Sequence, residues 1–164
     1  MEQSGDRDKM IPTDTWIPIY LERLAQGQKV KIGPFGFSMY PLLVGNRDSL
    51  ILTKIDRPLK RGDICLYRRD DAIYVTHTIH HIDDSGIYFL GESQQDIEGP
   101  LRGEQVLAVA ESFIRNGREY SCNWGIYRFF HELWLLMRPF RISLIRISGS
   151  MDVGQGFITR EQFY

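Results

Sequence analysis

The sequence predicts a mostly β domain with one helix before it and one aromatic helix after it. Three observations lead there. Between Lys29 and Arg118 the chain runs as short β-branched and aromatic stretches separated by Gly, Asp and Asn clusters. No helical period interrupts these stretches, which favours a sandwich or barrel-like sheet over alternating strands and helices. Apolar residues at helical spacing occur only on the two flanks.

The expected organisation has three parts. Residues 1–28 hold a polar segment and a helix, 29–118 a β-rich core, and 119–164 an aromatic and basic helical extension with a tail. Thr13 and Asp14 offer an N-cap ahead of Trp16, Ile17, Tyr20, Leu21 and Leu24, and Gly27 offers a stop. Pro18 is expected near the helix start, where a missing N–H is tolerated. Strands are expected near 29–33, 49–55, 63–68, 72–82, 86–91 and 104–115. Gly45-Asn46, Arg61-Gly62-Asp63, Asp83-Asp84-Ser85-Gly86 and Gly99-Pro100 supply turns, the third of them a hairpin candidate. From Cys122 onward, Trp124, Tyr127, Phe129, Phe130, Leu133, Trp134, Leu136 and Met137 form an aromatic run, followed by Arg138, Pro139, Arg141 and Arg146. This run reads as a helix covering one end of the β-domain, with an interfacial membrane helix as the alternative.

Composition narrows the function classes. The 164 residues are 43% hydrophobic and 25% charged, which suits one globular core rather than a disordered or disulfide-stapled chain. Lys plus Arg number 20 and Asp plus Glu 21, for a net charge of −1, so no basic footprint for nucleic acid exists. Cys65 lies inside the apolar run Ile64-Cys65-Leu66-Tyr67, so it and Cys122 read as thiols in a reducing compartment. The longest uncharged stretch, Ile32 to Asn46, is 15 residues with three glycines and two prolines, short of the about 20 apolar residues of a membrane span. Glu2, Asp6 and Asp8 with no apolar run behind them exclude a signal peptide. The expectation is a soluble, cytoplasmic chain whose 124–148 stretch is the part that would meet a membrane surface.

Four histidines occur, at 77, 80, 81 and 131. A strand through Ile73–Ile82 puts His77 and His81 on one face and His80 on the other, with no third ligand at a useful spacing, so neither a metal nor another cofactor is expected. On that strand His77 interrupts the apolar stripe Ile73, Val75, Ile79. An inward imidazole needs a partner, because a buried polar group left unpaired costs about 1–3 kcal/mol. A satisfied core histidine and a catalytic base both fit. Ser38 stands in Gly33-Pro-Phe-Gly-Phe-Ser-Met-Tyr-Pro-Leu-Leu-Val-Gly45. A serine on a sharp bend between Gly36 and Pro41 can be presented beside amide N–H groups able to hold an oxyanion, although turns also use serine routinely.

Taken in order, Gly36-Phe-Ser38-Met39-Tyr-Pro41-Leu, Arg47-Asp48-Ser-Leu-Ile-Leu, Arg61-Gly62-Asp63-Ile-Cys-Leu-Tyr67, Val75-Thr-His77 and Tyr88-Phe-Leu-Gly91 resemble the boxes of the signal peptidase I and LexA-type serine peptidase superfamily. The resemblance covers about residues 29–110. It implies a LexA/signal-peptidase-like coiled β-domain, agreeing with the strand reading. Most members pair the serine with a lysine, but no lysine follows Lys60 here. His77 stands where the histidine-type branch, which includes endoplasmic-reticulum and archaeal signal peptidases, carries its base. Thr78 replaces the usual arginine after that histidine, and Gly91-Glu92-Ser-Gln-Gln-Asp96 stands where the branch has Gly-Asp-Asn-Asn and a later aspartate. Asp48 takes the role that Gly45-Asn46 only partly fills. The hydrophobic membrane segments that flank typical signal peptidases are missing, so the housekeeping secretory enzyme is not expected.

The resemblance therefore implies a serine endopeptidase cutting a leader- or signal-type peptide or protein. Ser38 would be the nucleophile and His77 the base. Asp96 would be the orienting acid, with Glu92 as the alternative. Gly36, Met39 and Pro41 would frame the oxyanion and the substrate, which would lie extended beside the serine-bearing strand and the 72–79 strand. Two other readings remain. One is an inactive relative that binds peptides. The other is a LexA-like self-cleaving regulator with Ala25-Gln26-Gly27 as its scissile region, against which stand the few residues before the β-domain and the absence of basic charge.

Overall fold

The computed structural model describes residues 13–33, 38–40, 42–45 and 47–136. Helix α1 (Thr13–Ala25) buries Ile17 and Leu24, with Trp16, Tyr20 and Leu21 packed around them, the spacing read from the sequence. It ends in a Schellman turn. Gln28 N–H donates to Arg23 O at 2.9 Å and Gly27 N–H to Leu24 O at 2.9 Å, with Gly27 at φ 76°. The expected scissile region is thus the hydrogen-bonded end of a helix. Pro18 lies in the second turn of α1 and not at its start, because the helix already begins at Thr13.

Among the described residues eight antiparallel strands form one sheet: β1 (Val30–Ile32), β2 (Ser49–Thr53), β3 (Ile64–Arg68), β4 (Tyr74–Asp83), β5 (Gly86–Leu90), β6 (Glu98–Leu101), β7 (Val106–Arg115) and β8 (Arg118–Ser121). Their order is β1-β2-β7-β3-β4-β5-β6, with β8 also on β7. The mostly β class is as the strand pattern predicts, and Asp84-Ser85 makes the two-residue turn of the β4–β5 hairpin. Alternate residues of β3 serve two cores. Ile64 and Leu66 join one with Met39, Leu43, Leu50 and Ala108, while Cys65 and Tyr67 join another with Ile79, Phe89 and Val109. Both cysteines are free and buried, and burial pushes the thiols up, Cys122 to about 12. Neither is a nucleophile at neutral pH.

Two strands depart from the sequence reading. Glu98-Gly99-Pro100-Leu101 is β6 rather than a plain turn, and it sits at an end of the sheet, where a proline costs no ladder bond. Strand β8 returns along β7 through Asn116-Gly117, both at positive φ, so Arg115 faces Arg118.

Helix α2 (Gly125–Leu136) docks on the Arg61-Gly62-Asp63 corner. Arg128 donates to Arg61 O at 2.9 Å, and Arg61 pairs with Glu132 at 2.8 Å. Gly62 has φ +82°, and a Cβ there would stand 3.1 Å from Glu132 Oε1, so the corner admits glycine. The helix covers the domain as expected; residues 137–148 of the expected stretch lie outside the described residues. Among the described residues no helix is long and apolar enough to cross a membrane.

Candidate active site

Ser38 opens a turn fixed at both ends. Met39 and Leu43 are buried, and Leu43 N–H donates to Met39 O at 2.8 Å. Farther on, buried Asp48 accepts Val44 N–H at 2.9 Å and Asn116 N–H at 3.3 Å and pairs with Arg47. Burial works to raise the Asp48 carboxyl, but these donors outweigh it and hold it below its usual value. Asp48 thus ties the serine turn to the β7–β8 hairpin. Gly36 and Pro41 lie outside the described residues.

The turn rests on the end of β5. Ser93 N–H donates to Ser38 O at 3.0 Å. A Cβ at Gly91 would meet Ser38 O at 3.0 Å and the Gln94 side chain at 2.7 Å. Thr78, the neighbour of His77 on β4, pairs with Leu90, the last residue of β5, and Gly91 follows directly. Close approach of the serine backbone is what requires glycine in this box. Gly91→Ala should lower the reactivity of Ser38 about tenfold by shifting the turn, with little loss of thermal stability. Rates of phosphonylation of the two proteins, beside their melting curves, check this.

His77 is 2% exposed and shares its side of β4 with Val75 and Ile79. Its Nδ1 lies 2.9 Å from the Tyr67 hydroxyl, which donates to Glu98 Oε2 at 2.7 Å. Arg69 grips Glu98 through two bonds of 2.5 and 2.6 Å. Burial works to raise Glu98, but Arg69 and Tyr67 prevail and keep it below the ordinary carboxylate value. Burial lowers His77 from its ordinary value of 6.5 to about 4, with Glu98 opposing that shift. The imidazole is therefore neutral above about pH 4. An unfolded chain takes up this proton near pH 6.5 and the folded one only near 4, so stability should fall as pH drops through that window, by about 3 kcal/mol in all. Urea midpoints measured across pH 7 to 4 should show this slope, and it should be shallower in His77→Gln.

The expected acids are placed elsewhere. Asp96 is exposed and forms no hydrogen bond or ion pair among the described residues. Glu92 is fully buried, but its Oε1 accepts the Thr78 hydroxyl at 2.6 Å and meets His131 Nε2 at 2.7 Å, so it serves the neighbour of His77 and helix α2. The carboxylate beside His77 is Glu98, acting through Tyr67. No hydrogen bond joins Ser38 to His77 among the described residues; what comes together is the serine turn and the Gly91–Ser93 segment that follows β5. Thr78 and Glu92, two residues at which the sequence departs from the boxes it resembles, are bonded to each other. His80 and His81 do not keep the expected alternation: the β4–β5 register shifts between Ile79 and His81, and their Nδ1 atoms stand 2.8 Å apart.

Tyr67, Glu98 and His131 are the site residues that sequence reasoning passed over. A tyrosine closing the apolar run of β3 was a signal, since a buried phenol wants a partner. Comparison with family models, with curated proteins and with solved structures gives no match.

Proposed function

We propose that the chain is a serine endopeptidase acting on a peptide or protein substrate of leader or signal type. The observation that carries this reading is the seating of Ser38 on Gly91, which follows the ladder partner of Thr78, the neighbour of a neutral, buried His77. As Ser38 Oγ attacks the scissile carbonyl carbon, His77 takes its proton. The proton then passes to the leaving amine as the C–N bond breaks, and water hydrolyses the resulting ester by the reverse transfers. The Ser38 N–H would hold the oxyanion; a lost donor of this kind costs about 3–4 kcal/mol in comparable enzymes. Catalytic hydrogen bonds in unliganded enzymes are often long and tighten once substrate binds.

Strand β4 offers a place for that substrate. Tyr74–Thr78 pair with β3 on one side, whereas pairing with β5 on the other side spans only Thr78–Asp83. Among the described residues, the second edge of Tyr74–His77 carries no strand, so an extended peptide can add there by main-chain pairing. A fluorophosphonate probe tests the reading. A covalent adduct on Ser38 of the folded protein supports it; no adduct leaves the peptide-binding alternative.

We propose further that α2 contacts an anionic lipid surface. Phe129, Leu133 and Leu136, spaced by four and three residues, are 68%, 44% and 69% exposed, and three arginines follow in the sequence. Wild-type protein should float with anionic liposomes and Phe129→Ser with Leu133→Ser should not. Absence of co-migration by the wild type would reduce α2 to its covering role.

A further inference from the structure

The Tyr67 hydroxyl has one proton and two neighbours that could take it, Glu98 Oε2 at 2.7 Å and His77 Nδ1 at 2.9 Å. Glu98 is held as a carboxylate by Arg69, and a carboxylate oxygen can only accept. Were the proton turned toward His77, the phenol and carboxylate oxygens would face each other lone pair to lone pair at 2.7 Å, in a partly buried place where water screens little. The Tyr67 proton therefore lies toward Glu98. Its oxygen is then free to accept from Nδ1–H, which leaves the lone pair of the neutral imidazole on Nε2.

We infer that Tyr67 and Glu98 are positioning residues that hold His77 in its Nδ1–H tautomer and make Nε2 the basic nitrogen. Three strands assemble this relay: Tyr67 from β3, His77 from β4 and Glu98 from β6. Arg69 anchors its far end, and Tyr67 is kept in place by stacking on Phe89 with ring centroids 4.2 Å apart. In a Ser-His-Asp site a carboxylate touches the histidine directly. Here the phenol takes the hydrogen bond, and the nearest Glu98 oxygen stays 3.9 Å from Nδ1, beyond hydrogen-bond reach. The bearing of this relay on catalysis rests on the peptidase reading, while the tautomer does not.

The test is ¹⁵N–¹H correlation NMR of the labelled full chain, with the His77 signals assigned by loss in His77→Gln. The expected wild-type pattern has a protonated Nδ1 and a bare Nε2. Tyr67→Phe keeps the stacked ring but removes the acceptor, so the tautomer should shift toward Nε2–H. Glu98→Leu frees the phenol proton to turn to Nδ1 and should shift it the same way, which covers the case of one variant failing to fold. The rate of Ser38 phosphonylation should drop at least about tenfold in both, as expected for a misplaced general base. A wild-type Nε2–H tautomer, or an unchanged tautomer in folded variants, would overturn the relay. The expected tautomers with no Ser38 adduct would uphold the relay and overturn the peptidase.

Discussion

Ser38→Ala and His77→Ala should each reduce peptide-bond cleavage by about 10³-fold or more, and the double variant should be scarcely worse than either single one. The non-additivity follows from shared work: without its base the serine hydroxyl is a poor nucleophile, and without the serine the base has no proton to take. His80→Ala should retain most activity, because that ring contacts His81 rather than the Tyr67 relay. The rate should rise with pH through about 4 and be level well before neutrality, since burial holds His77 neutral there. Cleavage assays, or phosphonylation rates where no substrate is in hand, read all of these. Full activity in Ser38→Ala, or a rate that rises only near pH 6.5, would contradict the assignment.

Glu92→Ala should be the most destabilising single change at the site, costing about 3–5 kcal/mol. The carboxylate is fully buried, and its loss strips partners from Thr78 on β4 and His131 on α2 together. Trp134 also reaches this corner, donating to Glu92 O at 3.2 Å. The melting temperature should fall by roughly 10 °C, and limited proteolysis should open the chain within α2 before the sheet. A variant that melts with the wild type would show that the Arg61–Glu132 and Arg128 contacts hold α2 alone.

The strands were legible wherever one chain segment carried its own evidence. β4 and β7 show long β-branched stretches, and the Asp84-Ser85 turn announces its hairpin. β6 was hidden because Gly99-Pro100 reads as punctuation, and only its place at the sheet's end makes proline harmless. β8 was missed although Asn116-Gly117 is a strong two-residue turn signal. The site divides in the same way. Ser38 and His77 sit in local phrases that can be read directly. The partner of His77 cannot, because Tyr67 and Glu98 meet only through the registers of β3, β4, β5 and β6. The resemblance in the segment after Gly91 pointed to Asp96 instead, and the chain turns that residue to solvent.

The sheet's free ends bear on how the protein behaves when concentrated. Among the described residues these ends are β1, β6 and β8, of three, four and four residues. Each carries a feature that resists joining another copy: an exposed Lys31, Pro100 with no N–H to give, and the charged pair Arg118-Glu119. Long, flat, apolar ends seed fibrils; these three are short and carry charge or proline. These three ends are thereby kept from joining copies of the protein end to end, even if β4 takes an extended peptide as proposed, and its solutions should stay free of ordered aggregates at concentrations where an unguarded sheet would polymerise.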